Sequence, residues 1–332
     1  MNTLHAKSPC CREKIYKYGN KRRQCSKCKK TWRIRKKKTG RKVKRISSNF
    51  FLSYLRQESP SVSAYARKKG IKEHKIRYCV RKSLDNYLKH SRWPKLSHQG
   101  PLIAMADAMI FSFKNNSYTF YFILLREIKS KQAIILSPYI CEGGETCLGW
   151  HAAFNRLSKP VQQAIVALVC DGHRGLVSTS KKRRWVLQRC HFHLFASLQR
   201  RCSMRYFGQH RQESKLFDSL IREIVTNPST KEILSSVSNL KEIAKNIPSY
   251  RLRSVLRGFV RNYKDYRHYL TYPHLKLPTT TNSAESLISS ISYFCNRARG
   301  FRTINSLTKW VNAFLKNKKS ITCNGYFSTK LV

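Results

Sequence analysis

The chain has 332 residues and carries 67 lysines and arginines against 16 aspartates and glutamates, a formal net charge of +51. A folded protein with this excess of positive charge needs a polyanion as partner, and nucleic acid and anionic membrane surfaces are the two candidates. The longest apolar runs, residues 118–125 and 164–170, are much shorter than the roughly 20 residues of a membrane-spanning helix, and a hydrophobic content of 41% argues against disorder.

The positive charge is concentrated near the front of the chain. The first 100 residues hold 31 basic and 4 acidic side chains, a net charge of +27, and the other 232 residues hold the remaining +24. The basic N-terminus has no apolar segment of the kind that directs secretion, so the 12 cysteines are expected to be reduced and should be considered first as metal ligands. The sequence therefore predicts a basic arm joined to a body with a conventional core, in a cytoplasmic protein.

Residues 1–45 contain a cysteine module followed by a basic linker. Cys25 and Cys28 form a C-x-x-C pair, the spacing at which two thiolates reach one tetrahedral Zn²⁺ ion. Cys10 and Cys11 stand where the second pair of a zinc ribbon is expected, although Ser8 occupies the usual first ligand position. We predict a structural zinc ribbon that uses Cys11, Cys25 and Cys28, with Cys10 or His5 as the fourth ligand. Unpaired thiols in a basic tail are the alternative.

Residues 46–98 are predicted to form a helix-turn-helix domain. Ala66 is small enough for two helices to cross closely, and Gly70 accepts the left-handed conformation that the turn requires. The second helix, from about Glu73 to Leu88, carries the basic side chains expected to contact DNA: Lys72, Lys75, Arg77, Arg81 and Lys82. An ordinary helical hairpin with a solvated basic face would give the same pattern.

An α/β body is predicted after the proline and glycine boundary at residues 91–101. Residues 102–113 and 117–128 are apolar, β-branched and aromatic runs joined by a short polar turn, which indicates a hairpin. A third strand at 131–137, a helix at 146–157 and two further strands at 164–170 and 185–189 follow, with mostly amphipathic helix after residue 192. The first three strands can be antiparallel.

Acidic residues are rare, and three of them lie where a binding site is expected. Asp107 interrupts the first apolar strand, and Asp171 ends the fourth. Carboxylates in apolar surroundings cost several kcal/mol unless they are paired or bind a metal, and strand ends are where ligands gather in α/β sheets. Glu285 begins a late helix, where the helix dipole alone would also favour an acid. The hypothesis of a metal site depends on all three acids together.

In this order the three acids resemble those of the RNase H-like DDE nucleotidyl transferases, and the body resembles bacterial transposases of the Mutator superfamily. The resemblance covers about residues 100–320 and includes a C-x-x-H motif, Cys190 to His193. Its other motifs are Asp107, Cys170-Asp171-Gly172-His173-Arg174-Gly175-Leu176, Thr281-Asn282-Ser283-Ala284-Glu285 and Arg299-Gly300-Phe301. Zinc ribbons and helix-turn-helix domains are common in front of such bodies.

This resemblance implies an RNase H-like catalytic domain over residues 99–320, with a helical insertion at about 195–278. Two Mg²⁺ ions, or Mn²⁺ in their place, would lie about 3.5–4 Å apart at Asp107, Asp171 and Glu285. In the resembling families Cys190 and His193 support the active site; a buried, hydrogen-bonded pair without that role is the alternative.

The implied function is a DNA transposase of a bacterial insertion sequence, associated with the nucleoid. It would bind terminal inverted repeats and target DNA as a homodimer or higher multimer, and would cleave and join DNA strands. An inactive, transposase-derived DNA-binding regulator and a nuclease on the same fold are the other functions to consider.

Overall fold

The computed structural model describes residues 7–19, 22–33, 48–96, 100–113, 116–201, 211–247, 249–297, 301 and 303–323. The chain divides into two compact units, Met1–Arg45 and Ile46–Val332. Among the helices that the structure describes, none has the length and apolar character needed to cross a bilayer.

The first unit contains a small three-stranded antiparallel sheet. Its strands β1 (Ile15–Lys17), β2 (Arg22–Cys25) and β3 (Thr31–Arg33) pair in chain order. Their side chains are mainly basic and polar, and the strand register places Ile15, Cys25 and Trp32 on one face. The described part of this sheet therefore offers only a small apolar surface for a hydrophobic core.

The second unit begins with three helices, α1 (Ser48–Leu55), α2 (Val62–Lys69) and α3 (Glu73–His90). The Ser61 side chain caps α2 by accepting a hydrogen bond from the Ala64 amide at 3.2 Å. Gly70 ends α2 with φ 59° and ψ 33°, the left-handed conformation predicted for the turn. Buried side chains at every fourth position of α3, Ile76, Val80 and Leu84, hold it against the rest of the unit.

A mixed sheet forms the centre of the second unit. Its strands are β4 (Leu102–Phe113), β5 (Asn116–Glu127), β6 (Gln132–Ile135), β7 (Tyr139–Glu142), β8 (Ile165–Cys170), β9 (Val186–Arg189) and β10 (Ser320–Thr322). They lie in the order β10-β6-β5-β4-β8-β9, with β7 also paired to β5. Strand β5 is antiparallel to β4, β6 and β7, whereas β8 runs parallel to β4 and β9 runs parallel to β8.

Helices cover both faces of this sheet. Because side chains alternate along a strand, Ile103 and Met105 of β4 face one layer and Leu102, Ala104 and Ala106 face the other. The first layer contains α1 to α3 together with α12 (Asn282–Arg297) and α13 (Ile304–Lys318). The second layer contains α4 (Cys147–Asn155), α5 (Lys159–Ala164) and α6 (Arg174–Arg183).

A helical region between β9 and α12 has its own hydrophobic cluster, which includes Leu194, Phe217, Leu240, Leu256 and Tyr266. The described helices here are α7 (His191–Arg201), α8 (Arg211–Thr226), α9 (Ile233–Asn246), α10 (Tyr250–Asn262) and α11 (His268–Thr271). Short 3₁₀ helices at Tyr263–Tyr266 and Pro273–Leu275 connect them to α12.

The predicted α/β class is confirmed, and each predicted strand of the body is present with bounds shifted by a few residues. Strands β7 and β10 were not predicted, and the predicted basic linker at residues 34–45 lies outside the described residues. The RNase H-like assignment and the division into three domains stay predictions. The helices of residues 48–90 share a core with α12 and α13.

Candidate functional site

The pairing of two parallel strands brings Asp107 and Asp171 to the same level of the sheet. Met105 of β4 pairs with Val169 of β8, so extending this register by two residues sets Asp107 beside Asp171. Asp107 lies inside its strand, where Oδ1 accepts a hydrogen bond from the Ala108 amide at 2.8 Å. Asp171 follows the last residue of β8, and its Oδ1 accepts from the His173 amide at 2.8 Å.

Helix α12 brings Glu285 toward the same sheet face. Ala284, Leu287 and Ile291 of α12 are buried in the cluster that contains Met105, and α12 packs against β4. Glu285 is in the first turn, and its Oε1 accepts a hydrogen bond from Thr281 Oγ1 at 2.6 Å. Three residues that are far apart in the sequence therefore converge where the end of β8 lies beside the middle of β4.

The convergence has an electrostatic effect on Asp107. Burial first, and then the negative charges of Asp171, Glu285 and Glu145, raise the pKa of Asp107 from 3.8 to about 7, with the hydrogen bond from the Ala108 amide acting in the opposite direction. In the part of the chain that the structure describes, no lysine or arginine pairs with Asp107, Asp171 or Glu285. The oxygens of the three acids do not all lie within 4.8 Å of one another.

Glu145 is a fourth acid at this site that the sequence did not indicate. It precedes α4, its Oε1 accepts a hydrogen bond from Trp150 Nε1 at 2.6 Å, and His173 Nδ1 is 3.4 Å away. Burial is the main cause that raises the pKa of Glu145, and the negative charge of Asp171 adds to it. Its only signal in the sequence is its position after Gly143 and Gly144, at the turn between β7 and α4.

The C-x-x-H motif contacts the third acid directly. Cys190 is buried directly after β9, and His193 lies in the first turn of α7. Cys190 Sγ is 3.7 Å and His193 Nδ1 is 3.3 Å from Glu285 Oε1. The expected proximity of this pair to the acids is thus present, and the Thr281 amide donates a hydrogen bond to Cys190 Sγ at 3.2 Å.

An open basic groove begins next to Asp171. It is lined by Gly172, Arg174, Val177, Ser178, Lys181, Lys182 and Arg189. Arg174, Lys181 and Lys182 are exposed on α6, whereas Arg189 pairs with Asp265 at 3.3 Å. The groove therefore presents three cationic side chains to solvent beside the acids, an arrangement suited to a polyanion.

The four cysteines of the first unit come together. The Sγ atoms of Cys10, Cys11, Cys25 and Cys28 all lie within 4.8 Å of one another, and those of Cys10 and Cys28 are 3.3 Å apart. Four cysteine sulfurs at this spacing fit a structural tetrahedral Zn²⁺ site. The geometry favours Cys10 as the fourth ligand; His5, the other candidate, lies outside the described residues.

Ser8, in the position where a ribbon usually has a ligand, has a different role. Its buried hydroxyl oxygen accepts hydrogen bonds from the amides of Cys11 and Glu13, at 3.3 and 3.1 Å, and lies 3.3 Å from Cys25 Sγ. A hydrogen bond from the Ser8 hydroxyl to the Cys25 thiolate is the first cause, and the backbone amides of Cys28 and Lys27 are further ones, that lower the pKa of Cys25 to about 6.

Helix α3 exposes most of the basic side chains expected to contact DNA. Lys72, Lys75, Arg81 and Lys82 are exposed. Arg77 is partly buried, and its Nε donates to Glu73 Oε1 at 2.7 Å, so its charge is already paired. Tyr78, with 66% of its surface exposed, lies three residues from both Lys75 and Arg81 on the same helix and was not predicted.

Comparison with known protein families matches the chain to the family described as Transposase, Mutator family, over residues 129–321. The matched range contains Asp171, Cys190, His193 and Glu285, while Asp107 lies before it. A search of curated proteins gives no match. The match covers more than half of the chain and agrees with the resemblance seen in its motifs, so the chain belongs to the Mutator family of transposases.

Proposed function

We propose that this transposase binds the ends of its mobile element and uses Asp107, Asp171 and Glu285, as a DDE site, to cleave DNA strands and join them to target DNA. The observation that carries the proposal is the meeting of three acids without a lysine or arginine partner among the described residues of a protein with a net charge of +51. Lysines and arginines are abundant in the chain, so an arrangement that leaves these three acids without one favours a role as ligands of a metal cation.

The topology of the sheet supports an RNase H-like fold for the body. Strands β4 to β6 form an antiparallel meander, and β8 and β9 lie on the other side of β4 and run parallel to it. This is the arrangement that an RNase H-like fold requires, with the first acid on the first strand and the second acid at the end of the fourth.

The donor chemistry of the acids fits Mg²⁺, which prefers carboxylate oxygens. Asp107, Asp171 and Glu285 would hold it. When bound, magnesium supplies Lewis-acid stabilisation of the charge that develops on a phosphodiester during its cleavage. Asp107 must be deprotonated to act as a ligand, whereas its pKa near 7 leaves it partly protonated in the metal-free protein at neutral pH.

The basic surfaces supply the contacts to DNA in this proposal. Lys181 and Lys182 in the groove beside Asp171 would hold phosphates close to the acids. Lys75, Arg81 and Tyr78 of α3 would contact the element ends, together with a zinc ribbon in residues 1–45. Phosphate contacts fix the position of the DNA, and base contacts in a groove provide the sequence preference. Joining two element ends implies a multimer on DNA.

The test compares Asp107→Asn, Asp171→Asn and Glu285→Gln with the unchanged chain in a strand-joining assay that starts from a pre-cleaved element end. We expect joining to fall by about 1,000-fold or more in each variant because a charged ligand is lost, while the affinity for element-end DNA stays within about threefold. Glu242→Gln is the matched control, since Glu242 is exposed and already paired with Lys245 at 2.7 Å.

The same assay separates the other candidate functions. A regulator would bind element ends and join nothing even in the unchanged chain, and a nuclease would cut DNA without joining a pre-cleaved end. Normal joining by Asp107→Asn and Asp171→Asn would show that the catalytic assignment is wrong. Metal analysis of the full chain and of a Cys25→Ser, Cys28→Ser double variant tests the zinc ribbon. We expect the double variant to bind one zinc ion fewer per chain than the unchanged protein.

A further inference from the structure

Four polar side chains meet around the third acid, at the junction of β9, α7 and α12. We call Cys190, His193, Thr281 and Glu285 the Cys190 cluster. Thr281 Oγ1 lies 2.6 Å from Glu285 Oε1, 3.2 Å from Cys190 Sγ and 3.5 Å from His193 Nδ1. Cys190 Sγ and His193 Nδ1 are 3.7 and 3.3 Å from the same Glu285 oxygen.

Two of these spacings, from Glu285 Oε1 to Cys190 Sγ and to His193 Nδ1, match the edges of a tetrahedral metal centre. Zinc bonds of 2.0–2.3 Å to nitrogen, oxygen and sulfur place neighbouring ligand atoms about 3.3–3.7 Å apart. The sulfur, nitrogen and carboxylate oxygen of Cys190, His193 and Glu285 all lie within 4.8 Å of one another, and besides the four N-terminal cysteines they form the only such group in the described residues. Thr281 Oγ1 lies 2.6 Å from Glu285 Oε1, which is a hydrogen-bond distance, so Thr281 is not counted among the ligands.

The ligand types indicate which ion the cluster would take. A thiolate and an imidazole are typical ligands of Zn²⁺, whereas Mg²⁺ prefers oxygen ligands only. The Cys190 cluster and the acidic group formed by Asp107, Asp171 and Glu285 thus differ in ion preference although they share one carboxylate. An ion can enter from the side of His193 and Glu285, because both side chains are partly exposed while Cys190 is buried.

We propose that Cys190 Sγ, His193 Nδ1 and Glu285 Oε1 form a second zinc site, and that zinc bound there inhibits the transposase by withdrawing Glu285 from the other two acids. On binding, the Cys190 thiol would release its proton to solvent, and the three protein ligands would replace water molecules of the hydrated ion; no covalent bond of the protein other than the S–H bond breaks. The inhibitory part rests on the proposed catalytic role of Glu285, whereas the binding part does not. Zinc and magnesium then compete for the same carboxylate.

The first experiment measures binding without DNA. Full-length protein is stripped of metal, zinc is added back, and bound zinc is counted after dialysis; Co²⁺ is used in parallel because its absorption bands report tetrahedral thiolate ligation. We expect two zinc ions per chain, one at the four N-terminal cysteines and one at the Cys190 cluster. The Cys25→Ser, Cys28→Ser variant should retain the second ion.

Variants of the cluster identify that ion. Cys190→Ser and His193→Asn should each weaken binding of the second zinc by at least about 100-fold, because each removes a direct ligand. Cys79→Ser is the matched control, since Cys79 lies on α3 and belongs to neither cysteine group. If Cys190→Ser and His193→Asn both bind as much zinc as the unchanged chain, the cluster is only a hydrogen-bonded support for Glu285 and the proposal is wrong. Using two variants guards against one that fails to fold.

The second experiment measures strand joining in excess Mg²⁺ with increasing zinc. The unchanged chain and Cys79→Ser should lose joining as the second site fills, and raising the Mg²⁺ concentration should restore it. Zinc that fills the second site without affecting joining would overturn the inhibitory part. The catalytic proposal fails separately, if Asp107→Asn and Asp171→Asn join DNA normally.

Discussion

Asp107 is a carboxyl group embedded in the central strand of the sheet, next to three other acids. Burial is the main reason why its pKa is raised to about 7, and the negative charges of Asp171, Glu285 and Glu145 contribute to the same shift. A neutral carboxylic acid at this position is easier to bury than a carboxylate. In the metal-free protein at neutral and higher pH, a buried negative charge on Asp107 is therefore unfavourable next to the other acids. A bound cation would offset this repulsion.

The stability of the metal-free protein should depend on pH through this residue. A pKa raised from 3.8 to about 7 means that the folded state holds the proton more tightly than the unfolded chain, so the stabilising contribution is full below pH 3.8 and is lost as the pH rises through 7. We expect Asp107→Asn to become progressively more stable than the unchanged chain between pH 5 and 8, reaching a difference of about 2–4 kcal/mol. Urea unfolding in the presence of a chelator measures this.

Asp218→Asn provides the reference for that experiment. Asp218 is partly exposed and pairs with Arg222 on the same helix at 2.6 Å, and no comparable burial acts on it. The Asp218→Asn variant reports the effect of removing an aspartate charge that is not buried, so the additional pH-dependent gain of Asp107→Asn over this variant is the part that burial causes. Parallel stability curves for Asp107→Asn and the unchanged chain would contradict the raised pKa.

At the scale of elements, the approach of α4 to α6 depends on a glycine. A Cβ atom on Gly175 would lie 2.7 Å from Cys147 Cα and 2.9 Å from a ring carbon of Trp150. The backbone of one helix cannot yield as a flexible side chain does, so we expect Gly175→Ala to lower the free energy of unfolding by about 1–3 kcal/mol. Chemical denaturation at one fixed pH measures it.

Gly258 is the matched control because it is also a helical glycine, inside α10. A Cβ atom there meets nothing within 4 Å, so Gly258→Ala should raise stability by about 0.5–1 kcal/mol through the better helix propensity of alanine. Equal effects of the two substitutions would show that the close approach of α4 and α6 does not constrain the fold.

The elements also show how far the sequence could be interpreted. The hairpin of β4 and β5 was predictable because long apolar runs on both sides of a polar turn have few other solutions. Strands β7 and β10 have only 4 and 3 residues, and they exist because β5 and β6 offer edges to pair with, which no local pattern reveals. Short strands of this kind depend on the tertiary fold.

Dependence on the tertiary fold also limits what could be predicted of the site. Asp107 and Asp171 stood out because a carboxylate inside or at the end of an apolar strand is unusual in the sequence itself. Glu145 follows a glycine pair in a turn, where an acid is unremarkable, and only the fold brings it near His173. The contact of Cys190 with Glu285 joins residues 95 positions apart, so its distances needed the structure.

At the scale of the whole molecule, the few acids differ in what lies beside them. Most of those with described ion pairs lie beside a lysine or arginine, as in Glu73 with Arg77, Glu242 with Lys245 and Asp85 with Lys309. Asp107, Asp171 and Glu285 lie near one another and have no lysine or arginine partner among the described residues. Basic side chains far outnumber acidic ones, 67 to 16, so most of the positive charge has no acid to pair with and can bind phosphates.

The excess positive charge predicts a steep dependence of DNA binding on salt. Each phosphate that a lysine or arginine neutralises releases condensed counterions, so the logarithm of the binding constant falls linearly with the logarithm of salt concentration, with a slope of about −0.9 per phosphate. If the groove beside Asp171 holds DNA, the Lys181→Ala, Lys182→Ala double variant should make this slope shallower by about 2 and weaken binding to all sequences alike. Fluorescence anisotropy with element-end and unrelated duplexes measures both effects. Lys245→Ala is the control, because Lys245 is already paired with Glu242 and should leave the slope unchanged. An unchanged slope in the double variant would mean that DNA does not lie in the groove. The DNA strand would then have to reach the three acids from another side of the molecule.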